Sequence, residues 1–148
     1  MRAVVQKVSE ASVKIGGVVR GAIGKGLVVL LAVCDSDNEE TMKWMCNKLV
    51  NLRVFPDGED KMNLSLLDIG GSILLISNFT LYGELKKGFR PNFMKAAGPA
   101  IAEPMYDRTV NYLRDNYPIV VETGDFGAMM EVSLVNDGPV TIIIDKEI

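Results

Sequence analysis

Residues 12–33 read SVKIGGVVRGAIGKGLVVLLAV, and they decide the fold class. Gly16-Gly17 stands between Ser12 to Ile15 and Val18 to Ala22, two stretches that read as strands. A glycine pair at that spacing predicts a two-residue hairpin. Gly24 and Gly26 then punctuate the start of Leu27 to Val33, which is apolar at every position. A half-buried strand would alternate, so this run is expected as a central strand covered on both faces.

Outward from that strand, Arg2 to Val8 alternates loosely and is rich in valine, which predicts another strand. Ser36 with Glu39, or Asp37 with Glu40, has the spacing of a helix capping box. Met42, Met45, Cys46, Leu49 and Val50 follow at helical spacing, predicting about four turns. Arg53 to Phe55 reads as a short strand closed by Pro56-Asp57-Gly58. Ser72 to Ile76 is a second buried strand that runs into Ser77-Asn78-Phe79-Thr80-Leu81. A second helix is predicted from about Pro99 to Asn116, with Ala102, Met105, Tyr106, Thr109 and Leu113 on one side.

Three last strands are predicted at Ile119 to Glu122, Met129 to Val135 and Val140 to Asp145. The final two are joined by Asn136-Asp137-Gly138-Pro139, which reads as a hairpin turn. Period two places Met130, Val132, Leu134 and Asn136 on one face. Strands and helices do not alternate as βαβ units. The expected class is α+β: mostly antiparallel sheets with two main helices packed on one side. That is a β/β/α layered sandwich or a partly closed barrel, in a single domain spanning 1–148.

Composition narrows the chemistry. The 148 residues include 16 Lys plus Arg, 19 Asp plus Glu, two Cys and no His, for a net charge of −3. A Ser-His-Asp triad, a Cys-His dyad and a His-ligated zinc site are excluded. Cys34 and Cys46 are too few for a cysteine-only zinc site, and they read as small buried residues. No cofactor and no metal is expected. The longest apolar run, Leu27 to Cys34, is far short of the ~20 residues of a membrane helix. The reading is a cytoplasmic protein without membrane attachment. Mild acidity argues against coating by nucleic acid but leaves room for a local basic patch.

Four stretches could carry function. Ser77 to Leu81 sets hydroxyls and an amide around a phenylalanine at a strand end, either a polar substrate wall or an ordinary turn. Asn136 to Thr141 is either a tight turn or a rigid backbone element presented to a ligand. Lys86, Lys87 and Arg90 lie beside Phe89 and Phe93. They form either a solvated charge run or a place to hold phosphates and stack a base. Gly124 to Ala128 sets small residues around Phe126, as a pocket lining or as a turn.

Together and in order, these segments resemble the D-aminoacyl-tRNA deacylase family. The resemblance spans almost the whole chain. It includes VVQKVSEASV near the start, NLRVFPD with KMN, SNFTL beside the family's SQFTL, GFRPNF, and FGAMMEVSLVNDGPVT. It implies a hydrolase that frees tRNA from D-amino acids and from mischarged glycine. It also implies a homodimer with the active site at the subunit interface. Ser77, Asn78, Phe79 and Thr80 match the catalytic wall. Gly138 and Pro139 match a Gly-cis-Pro motif that reaches into the partner's site and excludes the L side chain. Phe126, Met130 and Ala102 match pocket-lining positions. Lys86, Lys87 and Arg90 are expected to meet the tRNA.

Two departures stand out. Asn78 replaces the usual Gln, and Lys7, expected near the substrate, replaces the usual Arg. Lys cannot reproduce the planar fork of Arg. A related tRNA deacylase of different amino-acid specificity and a non-catalytic RNA-binding module remain open readings.

Overall fold

In the computed structural model, which describes residues 1–146, the run from Gly26 to Ala32 is a strand buried at every position but Leu30. In chain order the elements are β1 (Arg2–Ile15), β2 (Val18–Ile23), β3 (Gly26–Ala32), α1 (Glu39–Asn51), β4 (Phe55–Pro56), β5 (Met62–Leu64), α2 (Leu66–Ile69), β6 (Ser72–Ser77), α3 (Pro99–Asn116), β7 (Val120–Thr123) and β8 (Glu131–Asp145). A single 3-10 turn, Phe79–Tyr82, follows β6.

β1 organises the sheet. Its first half pairs antiparallel with β3 and its second half with β2. Along its other edge it pairs with β8. The predicted hairpin forms, with Ile15 opposite Val18 and Gly16 and Gly17 at φ 58° and 78°. Two positive φ values in succession are what a type I′ turn needs. On the far side, β3 pairs parallel with β6, and β6 parallel with β7. The α+β class therefore stands, with two parallel pairings added to an otherwise antiparallel sheet.

The sheet curls until β2 lies across β6 and β7. A Cβ at Gly21 would come within 2.7 Å of the Thr123 carbonyl oxygen, so only glycine permits that approach. The curl encloses a small core of Val8, Val13, Val28, Leu74 and Ile76. The opposite face carries the larger core, where Leu27, Val29, Ile73 and Leu75 meet Met45 and Leu49 of α1 and Val110 and Leu113 of α3. The helices thus sit on one side, as the sequence predicts.

Local chemistry differs from expectation at three places. Neither predicted capping box starts α1. Asn38 is the cap, its Oδ1 accepting from Thr41 N at 2.9 Å and from the Thr41 hydroxyl at 3.0 Å. Asp37 is diverted to the fully buried Met1 amine at 2.6 Å and to Cys34 N at 2.8 Å. That buried pair closes the amino-terminal end of β1 against the loop after β3. The short helix α2 was not predicted, although Ser65 and Asp68 form a full capping box around it.

The third difference is β8. The predicted hairpin at Asn136 to Pro139 does not form, because both flanks stay on β1. Register passes from Val8 opposite Asn136 to Gln6 opposite Thr141, so residues 137–140 loop out of one continuous strand. Asn136 closes the loop by itself: its Nδ2 donates to Thr141 Oγ1 and its Oδ1 accepts from Val140 N, both at 3.0 Å. The Gly138–Pro139 peptide is cis.

Cys34 and Cys46 are buried free thiols, as expected, and burial pushes Cys46 up to about 12. Among the described residues no helix is long and apolar enough to cross a membrane.

The β3–β6 contact offers a direct test. A Cβ at Gly26 would lie 1.9 Å from the Ser72 carbonyl oxygen, whereas one at Gly24 meets nothing within 4 Å. Gly26→Ala should cost about 3 kcal/mol or more in urea unfolding. Gly24→Ala should stay within about 0.5 kcal/mol of the parent. Equal stabilities would refute the close approach.

Candidate active site

β6 ends at Ser77, and the chain then turns instead of continuing as a strand to Leu81. Asn78 causes the turn. Its Oδ1 accepts from Thr80 N at 3.3 Å and also from the Thr80 hydroxyl. Its own N–H donates to Leu31 O at 2.8 Å, which ties the turn to the end of β3. The Phe79 N–H has no acceptor among the described residues.

This turn forms one wall of a cleft of about 1000 Å³. Phe126, Met130 and Ala102 line it too, together with Val132 and Leu134 of β8. The β8 face expected from the alternation therefore faces the cleft. Among the described residues no Asp, Glu, Lys or Arg lines it, and Ser77, Asn78 and Thr80 carry its only polar side chains. The remaining surface is apolar or main chain.

The apolar wall is braced from behind. Tyr106 of α3 donates its hydroxyl to Leu75 O at 2.7 Å and sets its ring 6.1 Å from that of Phe126. Burial raises the Tyr106 pKa, so the phenol stays a neutral donor. An ideal Cβ on Gly124 would sit 2.4 Å from Met130 Sδ, so the missing side chain at 124 makes room for the methionine.

Sequence reasoning missed part of the lining: the end of β3 at Ala32 and Val33, and the run Ala96 to Pro99. These are small residues with no pattern of their own. Phe93, which the sequence places beside the basic stretch, also belongs to the cleft. It packs edge-on against Phe79 with ring centroids 5.2 Å apart.

Other predicted residues lie elsewhere. Gly138 and Pro139 are exposed and outside this chain's cleft. Lys7 is buried in β1, opposite the point where residues 137–140 loop out. Lys86, Lys87 and Arg90 are exposed on a loop closed by paired main-chain bonds between Glu84 and Asn92. At its base Glu84 meets Lys95 Nζ at 2.9 Å and Lys86 Nζ at 3.9 Å.

The Lys95 hydrogen bond and the two lysine charges hold the Glu84 carboxyl below its usual range. A depressed folded-state pKa means the ordering is complete above the ordinary glutamate pKa and fades as pH falls through the lower folded value. The side-chain carboxyl resonance of Glu84 should titrate below the ordinary glutamate range. In Lys95→Met it should move back toward that range. An unchanged midpoint would remove the ion pair from the account of the loop.

Three comparisons place this geometry. The sequence model of D-Tyr-tRNA(Tyr) deacylase matches residues 4–145. A D-aminoacyl-tRNA deacylase of Thermosipho africanus is 52% identical, over 99% of this chain and 98% of its own. One of Halothermothrix orenii is 54% identical, over 99% and 97%. Among solved structures, a protein described as a c-Myc DNA unwinding element binding protein superposes with a TM-score of 0.94 at 41% identity, all of both chains covered. A probable eukaryotic D-amino acid tRNA deacylase superposes at 0.82, over 98% of each chain, and at 19% identity shows the shared fold. The chain belongs to the D-Tyr-tRNA(Tyr) deacylase family.

Proposed function

We propose that this protein hydrolyses the ester of D-aminoacyl-tRNA, and of glycine mischarged on tRNA, releasing free amino acid and tRNA. The observation that carries the reading is the cleft: a short polar strip on one wall, apolar elsewhere, with no ionisable side chain among the described residues. It suits a substrate that is already activated. In an aminoacyl ester, water attacks the carbonyl carbon, the bond to the ribose oxygen breaks, and the proton goes to that oxygen. The vicinal ribose hydroxyl can position the water, so the RNA supplies part of the chemistry. The protein's share is orientation and donors for the developing oxyanion. The open Phe79 N–H is such a donor.

Thr80 is a positioning residue in this reading. Its hydroxyl is committed to Asn78, and among the described residues no base lines the cleft to activate it. Asn78, one methylene shorter than the family's Gln, still caps the turn.

The site is completed by a second copy of the chain. Residues 137–139 are exposed at the break in β8 and outside their own cleft, where they can reach a partner's. The outer edge of β8 has no strand beside it among the described residues, and Val135 and Ile143 are exposed on that strand. A long apolar edge invites pairing. Gly138 and Pro139 would then form a main-chain wall that blocks an L side chain without reading the D one. Lys7 is buried on β1 opposite that break. A cytoplasmic location follows from the substrate.

Matched D-, L- and glycyl-tRNAs test the reading. D and glycyl esters should be cleaved and L esters spared. Thr80→Ala should keep activity within about tenfold, the effect of one neutral hydrogen bond. Gly138→Ala is strained at φ 140°, and its Cβ would lie 2.7 Å from Val140 Cγ2. It should lower D-ester turnover at least tenfold while Tm stays within a few degrees. A protein that binds RNA tightly and salt-sensitively without cleavage would instead be a binding module.

A further inference from the structure

Phe89 is fully exposed, at 102% of its reference area. It sits near the tip of the loop closed by Glu84 N to Asn92 O at 2.8 Å and Asn92 N to Glu84 O at 2.9 Å. Gly88, at φ 71°, sets the turn beside it. The loop is anchored at its base: Lys95 holds Glu84, and Asn92 Oδ1 accepts from Met94 N at 2.8 Å. One residue beyond the closure, Phe93 lines the cleft and packs on Phe79. The loop is thus a finger rooted in the cleft wall.

A solvated turn has no use for a bare aromatic ring. Here the ring is flanked by Lys86, Lys87 and Arg90, in a chain whose net charge is −3. An aromatic face among cations, on a loop beside a cleft, fits an unpaired base and its phosphates. The reach also agrees. Phe89 and Phe93 are four Cα steps apart, so the tip lies within about 14 Å of the cleft wall. A stacked strand advances about 3.4 Å per nucleotide, which puts the ring within about four nucleotides of the ester. That part of a tRNA is its single-stranded 3′ end.

We infer that Phe89 stacks on an unpaired base of the tRNA 3′ end, while Lys87 and Arg90 take the adjacent phosphates. This rests on the deacylase reading. Phe89 acts as a positioning residue: it holds the RNA so that the ester enters the cleft.

Steady-state kinetics on D-aminoacyl-tRNA and on a D-aminoacyl ester of adenosine, which lacks the upstream nucleotides, tests it. Phe89→Ala should raise KM for the tRNA about tenfold with kcat unchanged. Phe89→Trp should restore it and Phe89→Leu should not. All three variants should match the parent on the adenosine ester. Lys87→Gln and Arg90→Gln should each reduce the salt dependence of tRNA binding by about one counterion, and Phe89→Ala should leave it unchanged. A parent enzyme that cleaves charged tRNA with Phe89→Ala unaffected overturns the stacking. So does leucine rescuing as well as tryptophan, or equal losses on both substrates. A parent that cleaves neither substrate removes the deacylase reading, and this inference with it.

Discussion

The register of β1 is the constraint on which the rest depends. Fourteen residues of one strand bond β3, β2 and β8, so β1 belongs to both the flat and the curled parts of the sheet. Side chains alternate with a period of two, and a slip of one residue would turn every one of them over. The larger core would lose Ala3 and Val5, and the cleft would lose the β8 face that carries Val132 and Leu134. The register also fixes where β8 must shed its extra residues. Asn136 and Thr141 stand at the two ends of that break and bond each other across it. Asn136 and Thr141 of the NDGPVT segment are therefore a clasp, whatever Gly138 and Pro139 do.

The missing histidine takes on a structural meaning beside the cleft. The proposed catalysis by shape and main-chain donors would require a rigid site. The bracing shows how this is met: Tyr106 ties α3 to β6 behind Phe126, Gly124 seats Met130, and Asn78 locks its turn to β3. None of these contacts involves a charge, so none needs to be desolvated when substrate arrives.

Much of this was legible in the sequence, and the limits have physical causes. The hairpin at Gly16-Gly17, the buried run from Leu27 and the helix over 99–116 each carry a strong local signal. The cap of α1 was misplaced because Asp37 is bound by Met1, a contact no local pattern encodes. The break in β8 reads as a hairpin in the sequence because both use the same turn residues; only pairing with β1 tells them apart. Ser77 to Thr80, Phe126, Met130 and Ala102 do converge on one cleft. Phe93 and the alanines at 96 and 97 were missed because small residues and an aromatic beside lysines have other ordinary uses.

A site made of main chain and hydrocarbon is also inherited differently from one made of acids and bases. On the proposed function, discrimination would not be stored in a side chain that a single base change can exchange for a new chemistry. It would be stored in the path of the backbone, which is secured at glycines such as Gly26, where an added Cβ would collide. On that reading such an enzyme would tolerate many substitutions in the lining and keep its selectivity. New specificity would have to come through insertion, deletion or a changed loop, so the family should diversify in steps and not by gradual tuning.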